Sequence, residues 1–405
     1  MDIVVISIII FLGFYTSSVY ISKSNYLNNS VYLLWVFHII VGVGYYLFSL
    51  SNSADAIGYW KTASLSTFDD IIQYLKFGGG TAFMYVFNYF PAGVFGLSYL
   101  AGTFIHIYLG FIGLLFFVYV AEQVIPFNSK IQGVNLFPLI FFLPNLHFWS
   151  SGVGKDSLSF LCIGLFAYSL LQIKRKWYFA IFAIVFLYFI RSHVAFLLLI
   201  SAGAGYLMSE KVGNFIKIFA SIVLFAGAIY VLPQVMEYTG LQDLSLESFT
   251  NRSSGQAGLL SEDSGSAIDI SSYPLPLKIL TFLYRPTFFD INSLPSLIAA
   301  FENILLLVLT VLAVRRNFIS GLKAAPLTVV VLFVFLVLGS IVFSMSLGNL
   351  GIMLRMRNMV LPGMLIYFLW AFSWQSEEKY NKIMLLKRLL NKRNLKKSES
   401  ESADM

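Results

Sequence analysis

Cysteine is almost absent: among 405 residues there is one, Cys162, and it lies in an apolar run. That excludes a disulfide framework and a cysteine-based zinc site. Charge is scarce as well, at 12% of residues, with 20 acids and 4 histidines. A chain that is 58% hydrophobic with a mean hydropathy of +0.79 is not an ordinary water-soluble globule. Long apolar runs consume most of the length, so there is no room for a separate soluble enzyme domain. The 40 Phe and 23 Tyr are read as hydrophobic and interfacial anchoring, not as a site. The formal charge of +7 does not indicate nucleic acid, because its source is local. Lys379, Lys382, Lys387, Arg388, Lys392, Arg393, Lys396 and Lys397 crowd the C-terminal end, which is the signature of a cytoplasmic tail near anionic lipid.

Apolar runs long enough to occupy a bilayer recur from end to end. The first, Asp2 to Tyr20, has no basic segment in front of it and Lys23 behind it, so it reads as a reverse signal anchor with the N-terminus outside. Further runs fall at 31–50, 99–121, 132–149, 156–173, 177–190, 194–209, 214–232, 296–314, 326–345 and 357–374. The expectation is an all-α, polytopic transmembrane bundle of about eleven spans, with the N-terminus outside and the C-terminus inside. On that map 18 of the 27 Lys and Arg lie inside. The two short runs within 177–209 read either as two spans or as one broken pair, and the choice inverts everything downstream.

The division follows from the map: a transmembrane domain over 1–374, with external segments 51–98 and 233–295, and a basic cytoplasmic tail over 375–405. The first external segment contains the Gly78-Gly79-Gly80 hinge and reads as interfacial helices. In the second, 251–272 is rich in Ser, Gly and acid and reads as a loop.

A charge at bilayer depth costs roughly 2.5–3.5 kcal/mol on insertion scales, so each one there asks for a reason. Asp55, Lys155, Asp156, Arg191, His193, Arg285, Arg355 and Arg357 all map to the outer ends of spans or the loops beyond. The segment from Pro144 to Asp156 joins two spans through Gly and Ser, but Trp149 and Asp156 break the pattern of a nucleotide-binding P-loop. Lys155 and Asp156 read either as a capped helix start or as an anion contact. Arg191 is a natural anion partner, with His193 beside it. Arg355 and Arg357, two residues apart, read as bidentate phosphate donors or as lipid-headgroup contacts, and Arg285 as a further donor. Asp55 follows the second span, where a carboxylate can act as general base on a hydroxyl. Glu302 reads as a structural partner of an arginine, Asp69 and Asp70 as solvated charges, and His38, His106 and His147 as structural residues.

Asp55 with Tyr59 four residues on, an arginine in a mid-chain span, and Arg355-Met356-Arg357 before Pro362 resemble bacterial Wzy-like polysaccharide polymerases, including the EpsG type, within the wider GT-C class of polyprenyl-phosphate-dependent glycosyltransferases. The Gly154-Lys155-Asp156 segment is not part of the EpsG pattern, and neither an Asp-x-Asp in the first loop nor a large C-terminal soluble domain is present. The resemblance implies a GT-C-like fold in the bacterial inner membrane and no nucleotide cofactor; no other cofactor and no metal ligand is singled out from the residues. It implies Asp55 as catalytic acid or base. The reading of the residues adds His193 as a second catalytic candidate, and Tyr59, Lys155, Asp156, Arg191, Arg285, Arg355 and Arg357 as substrate-binding candidates. The implied partner is a polyprenyl-phosphate-linked saccharide, with membrane lipid and other polysaccharide-assembly proteins. A transporter or flippase of lipid-linked sugars is the alternative, and would use the same cations without reaction.

Overall fold

The computed structural model describes all residues except 25–26, 28, 53, 129, 132, 209–212, 214, 216, 219–220, 223–267, 269, 271, 316–317, 347 and 404–405. The expected span at 214–232, most of the external segment 233–295 and the loop over 251–272 thus lie largely outside the described residues. Helix dominates, as the run of apolar residues requires when no water is available to the backbone. Seven helices among the described residues are long and apolar enough to cross a membrane, or eight if one bent pair is counted as a span.

The first two are α1 (Asp2–Ile21) and α2 (Ser30–Ser51). They pack with α6 (Tyr99–Val124), where Trp35 fills the space over Gly13 and its Nε1 donates to the Ile10 carbonyl at 3.2 Å. Three shorter helices lie between α2 and α6: α3 (Asp55–Leu65), α4 (Phe68–Phe77) and α5 (Gly80–Asn88), the last continuing into a π-helical turn over Tyr89–Val94. Helix α4 begins with a reciprocal Thr67–Asp70 capping box, so Asp70 has a local structural use. The Gly78–Gly80 hinge separates α4 from α5, as the sequence suggested.

The expected run at 132–149 is not one helix. β1 (Lys130–Ile131), just before it, pairs antiparallel with β2 (Val134–Asn135), and the one-turn helix α7 (Leu136–Leu139), a 3-10 turn over Ile140–Phe142 and α8 (Pro144–Ser150) follow. Pro138 and Pro144 explain the interruptions, since each lacks an N–H and constrains the residue before it. Helix α8 meets α9 (Lys155–Leu170) at 111°. Gly110 is required where α8 lies against α6, because a Cβ there would sit 1.8 Å from the Ser150 carbonyl oxygen.

The next helical stretch, α10 (Ile173–Met208), is 36 residues long and leaves helical geometry at Lys176 and again at Arg191. Its first limb runs antiparallel to α9, with Arg191 at Asp156 and Phe179 at Tyr168. Its second runs antiparallel to α14 (Leu327–Ser346), with His193 beside Phe343 and Gly205 against Val331. Both limbs therefore lead away from Arg191, which lies at the break between the run 177–190 and the described part of the run that begins at 194. The remaining elements are α11 (Leu275–Tyr284), α12 (Leu294–Val314), α13 (Phe318–Ala324) and α15 (Leu350–Ala403). The apolar part of α15 is the central, most buried helix, whereas α1 exposes most of its apolar surface.

Three buried histidines link several of these elements. His38 and His147 meet through their Nδ1 atoms at 2.9 Å, and their Nε2 atoms face the carbonyls of Ile107 and Phe141. His106 lies between Ser157 at 2.7 Å and Asn88 at 3.1 Å, joining α5, α6 and α9. The structural reading of these three residues fits those contacts.

Candidate functional site

Four helix ends converge at one end of the bundle. Asp55 opens α3 directly after α2, Lys155 and Asp156 open α9, Arg191 is the apex of α10, and Arg355 lies in the second turn of α15. The Asp156 carboxylate is the hub. Its Oδ1 accepts from Arg191 Nη2 at 2.7 Å and its Oδ2 from Arg355 Nε at 2.6 Å. Arg355 then reaches with Nη1 to Asp55 Oδ2 at 3.1 Å, a bond between residues 300 positions apart. Lys155 Nζ donates to Thr81 Oγ1 at 2.8 Å and stands 5.9 Å from the centre of the Tyr59 ring. Arg191 Nη1 also contacts the Met356 sulfur at 3.0 Å.

Burial grades the cluster. The Asp156 and Arg191 side chains are 10% and 9% exposed, Arg355 is 23% exposed, and Asp55 is 59% exposed. Asp156 thus serves as a buried anchor and Asp55 as the accessible carboxylate. Three cations against two carboxylates leave the cluster with one formal positive charge, a setting that favours an anionic group. Burial, with the Asp55 carboxylate adding to it, pushes the Tyr59 phenol above its usual range, so the hydroxyl remains a hydrogen-bond donor.

The close approach of α5 to the α10 apex positions Lys155. A Cβ on Gly80 would sit 2.1 Å from the Ile190 carbonyl oxygen, and Phe83 stacks on Phe189 at 6.1 Å. This contact delivers Thr81 to Lys155. Thr81 escaped the sequence argument because a threonine carries no charge to make it conspicuous; the adjacent glycine triplet was the available signal.

Of the residues singled out from sequence, Asp55, Tyr59, Lys155, Asp156, Arg191 and Arg355 are brought together. His193 lies behind the cluster, its ring beside Phe343 at 6.5 Å. Two others are placed elsewhere. Arg285 pairs with Asp290 within its own loop, where Asp290 also accepts from the Thr287 N–H and hydroxyl. Arg357 is fully buried and donates to the Leu283 carbonyl at 2.5 Å. The reasons differ: Arg357 faces another side of α15 than Arg355, and the Arg285 fork is engaged by the Asp290 carboxylate. Among the described residues no group of His, Cys, Asp or Glu is arranged to hold a metal ion. No protein family, curated protein or solved structure matches this chain.

Proposed function

We propose that this protein is a multi-pass membrane glycosyltransferase of the polysaccharide-polymerase kind, moving saccharide units from a polyprenyl-phosphate-linked donor on the extracytoplasmic face of a bacterial inner membrane. The observation that supports it most is Arg355, which joins the accessible Asp55 to the buried Asp156–Arg191 pair. Transfer to a hydroxyl needs a base near the acceptor and fixed cations near the departing phosphate, held in one place. In this reading Asp55 takes the proton from the acceptor hydroxyl as its oxygen bonds to the anomeric carbon. Lys155 and Arg355 stabilise the leaving diphosphate, and Tyr59 donates to a substrate oxygen. Asp156 orients both arginines.

The proposed orientation rests on the central helix. Arg355 lies near the start of α15, and Ser373, which bonds Phe127 beyond the far end of α6, lies 18 residues on, about 27 Å away along a helix. The basic tail follows Ser373, at the end of α15 away from the cluster. With that tail cytoplasmic, the cluster is extracytoplasmic, the N-terminus is outside and the number of crossings is odd, eleven on the sequence reading. The test is the lipid-linked glycan pool of cells lacking the protein. Accumulated single repeat units on the lipid carrier are the expected result. Truncated units would indicate transfer of one sugar instead, and an unchanged pool with polymer of normal length would contradict the reading.

A further inference from the structure

A second polar group lies deeper in the bundle and takes no part in the proposed chemistry. Glu302 and Asn303 of α12, Arg357 and Asn358 of α15, and Asn145 of α8 are all more than nine-tenths buried. Each reaches across to another element. Glu302 Oε2 accepts from the Asn145 N–H at 2.9 Å, Asn303 Nδ2 donates to the Pro286 carbonyl at 2.7 Å, and Asn358 Nδ2 donates to the Leu146 carbonyl at 3.4 Å. Arg357 adds its bond to Leu283.

Five buried polar atoms remain: Glu302 Oε1, Asn303 Oδ1, Asn358 Oδ1, Arg357 Nε and Arg357 Nη2. None has a hydrogen-bond partner among the described residues. The carboxylate and the guanidinium act on each other electrostatically, yet every direct ion pair among the described residues lies elsewhere. Buried charges left in that condition are strongly disfavoured, so the group asks for a ligand. The guanidinium opposes a metal cation and the carboxylate opposes an anion. What satisfies two donors and three acceptors together is a small neutral group that both donates and accepts, and the full burial of Arg357 favours the smallest one.

We infer that bound waters link Glu302 Oε1 to the Nε and Nη2 atoms of Arg357, making a water-separated ion pair that joins α12 to α15; more than one water is needed, because the Glu302, Asn303 and Asn358 oxygens together accept more hydrogens than a single water carries.

The test is an electron cryomicroscopy map of the full chain in lipid nanodiscs, without added substrate, at a resolution that shows water. Density within hydrogen-bond distance of both Glu302 Oε1 and an Arg357 nitrogen is expected. Direct contact of the two side chains with nothing between them would overturn the inference, as would density seen only when a saccharide is added. An E302Q, R357Q and double-variant cycle in the same nanodiscs gives a second readout. The double variant should lose less in Tm than the sum of the single losses, and additive losses would count against the coupling. The map of the native chain decides the matter if a variant fails to insert.

Discussion

Arg355 and Arg357 are two residues apart on one helix and have opposite surroundings. Arg355 is partly exposed and shared between two carboxylates, whereas Arg357 is sealed in the bundle with a backbone carbonyl as its direct partner. A helix turns about 200° over two residues, so the pair cannot serve one ligand from one face. The region around Arg355 has the accessibility and surplus charge of a binding site. The region around Arg357 has the closure of a structural joint. Residue type and depth did not separate them; the direction each side chain faces did.

The largest effect that sharpens this contrast is expected at the hub. Asp156→Asn leaves two arginines facing each other without a full negative charge between them, a loss of about 3–5 kcal/mol for a broken buried pair, together with loss of transfer. Thermal unfolding in detergent checks the first part, and an unchanged Tm would mean that Asp156 is not the anchor. Arg357→Met comes next. It is expected to cost about 2–3 kcal/mol, the scale of a hydrogen-bonded buried charge. Transfer should fall only as far as α15 rotates, so loss of transfer at unchanged Tm would blur the two regions into one.

A smaller effect is expected at the contact that seats Lys155. Gly80→Ala places a methyl against the Ile190 carbonyl, an overpacking cost of about 1–3 kcal/mol. Transfer should drop because α5 carries Thr81 away from Lys155, and Gly58→Ala, where a Cβ meets open space, is the control.

The smallest effect is a pH dependence outside both regions. The Arg285 guanidinium, helped by the Thr287 N–H and hydroxyl, holds the Asp290 carboxyl below its usual range. A depressed carboxyl contributes its full stability above the unfolded value of about 3.9, and loses it as pH falls through the lower folded value. Asp290→Asn should therefore flatten the acid limb of a Tm-against-pH curve below about pH 4, leaving neutral transfer activity intact. An unchanged acid limb would remove this pair from the stability of the loop.

Much of the candidate site was legible in the sequence, because an ionisable side chain in an apolar run is costly and therefore conspicuous. That logic singles out Asp55, Lys155, Asp156, Arg191 and Arg355 with no knowledge of contacts. It could not separate Arg357 from Arg355, since depth along a helix is readable from position while facing direction depends on which neighbours pack where. Nor could it see that Asp290, five residues on, engages Arg285. The fold was legible at the level of helix and apolar length. Its interruptions were partly so: the Gly78–Gly80 hinge announced itself, and Arg191-Ser192-His193 marked the bend in α10. The broken passage at 132–149 stayed hidden, because Pro138 and Pro144 were the signals and hydropathy alone passes over them.

The most direct test of the central claim is Asp55→Asn, followed by the length of the polysaccharide made and by labelling that confirms insertion. The account predicts a correctly inserted, stably folded protein that no longer extends polymer, because the accessible carboxylate is the base while Asp156 still anchors both arginines. Polymer of native length from that variant would contradict it.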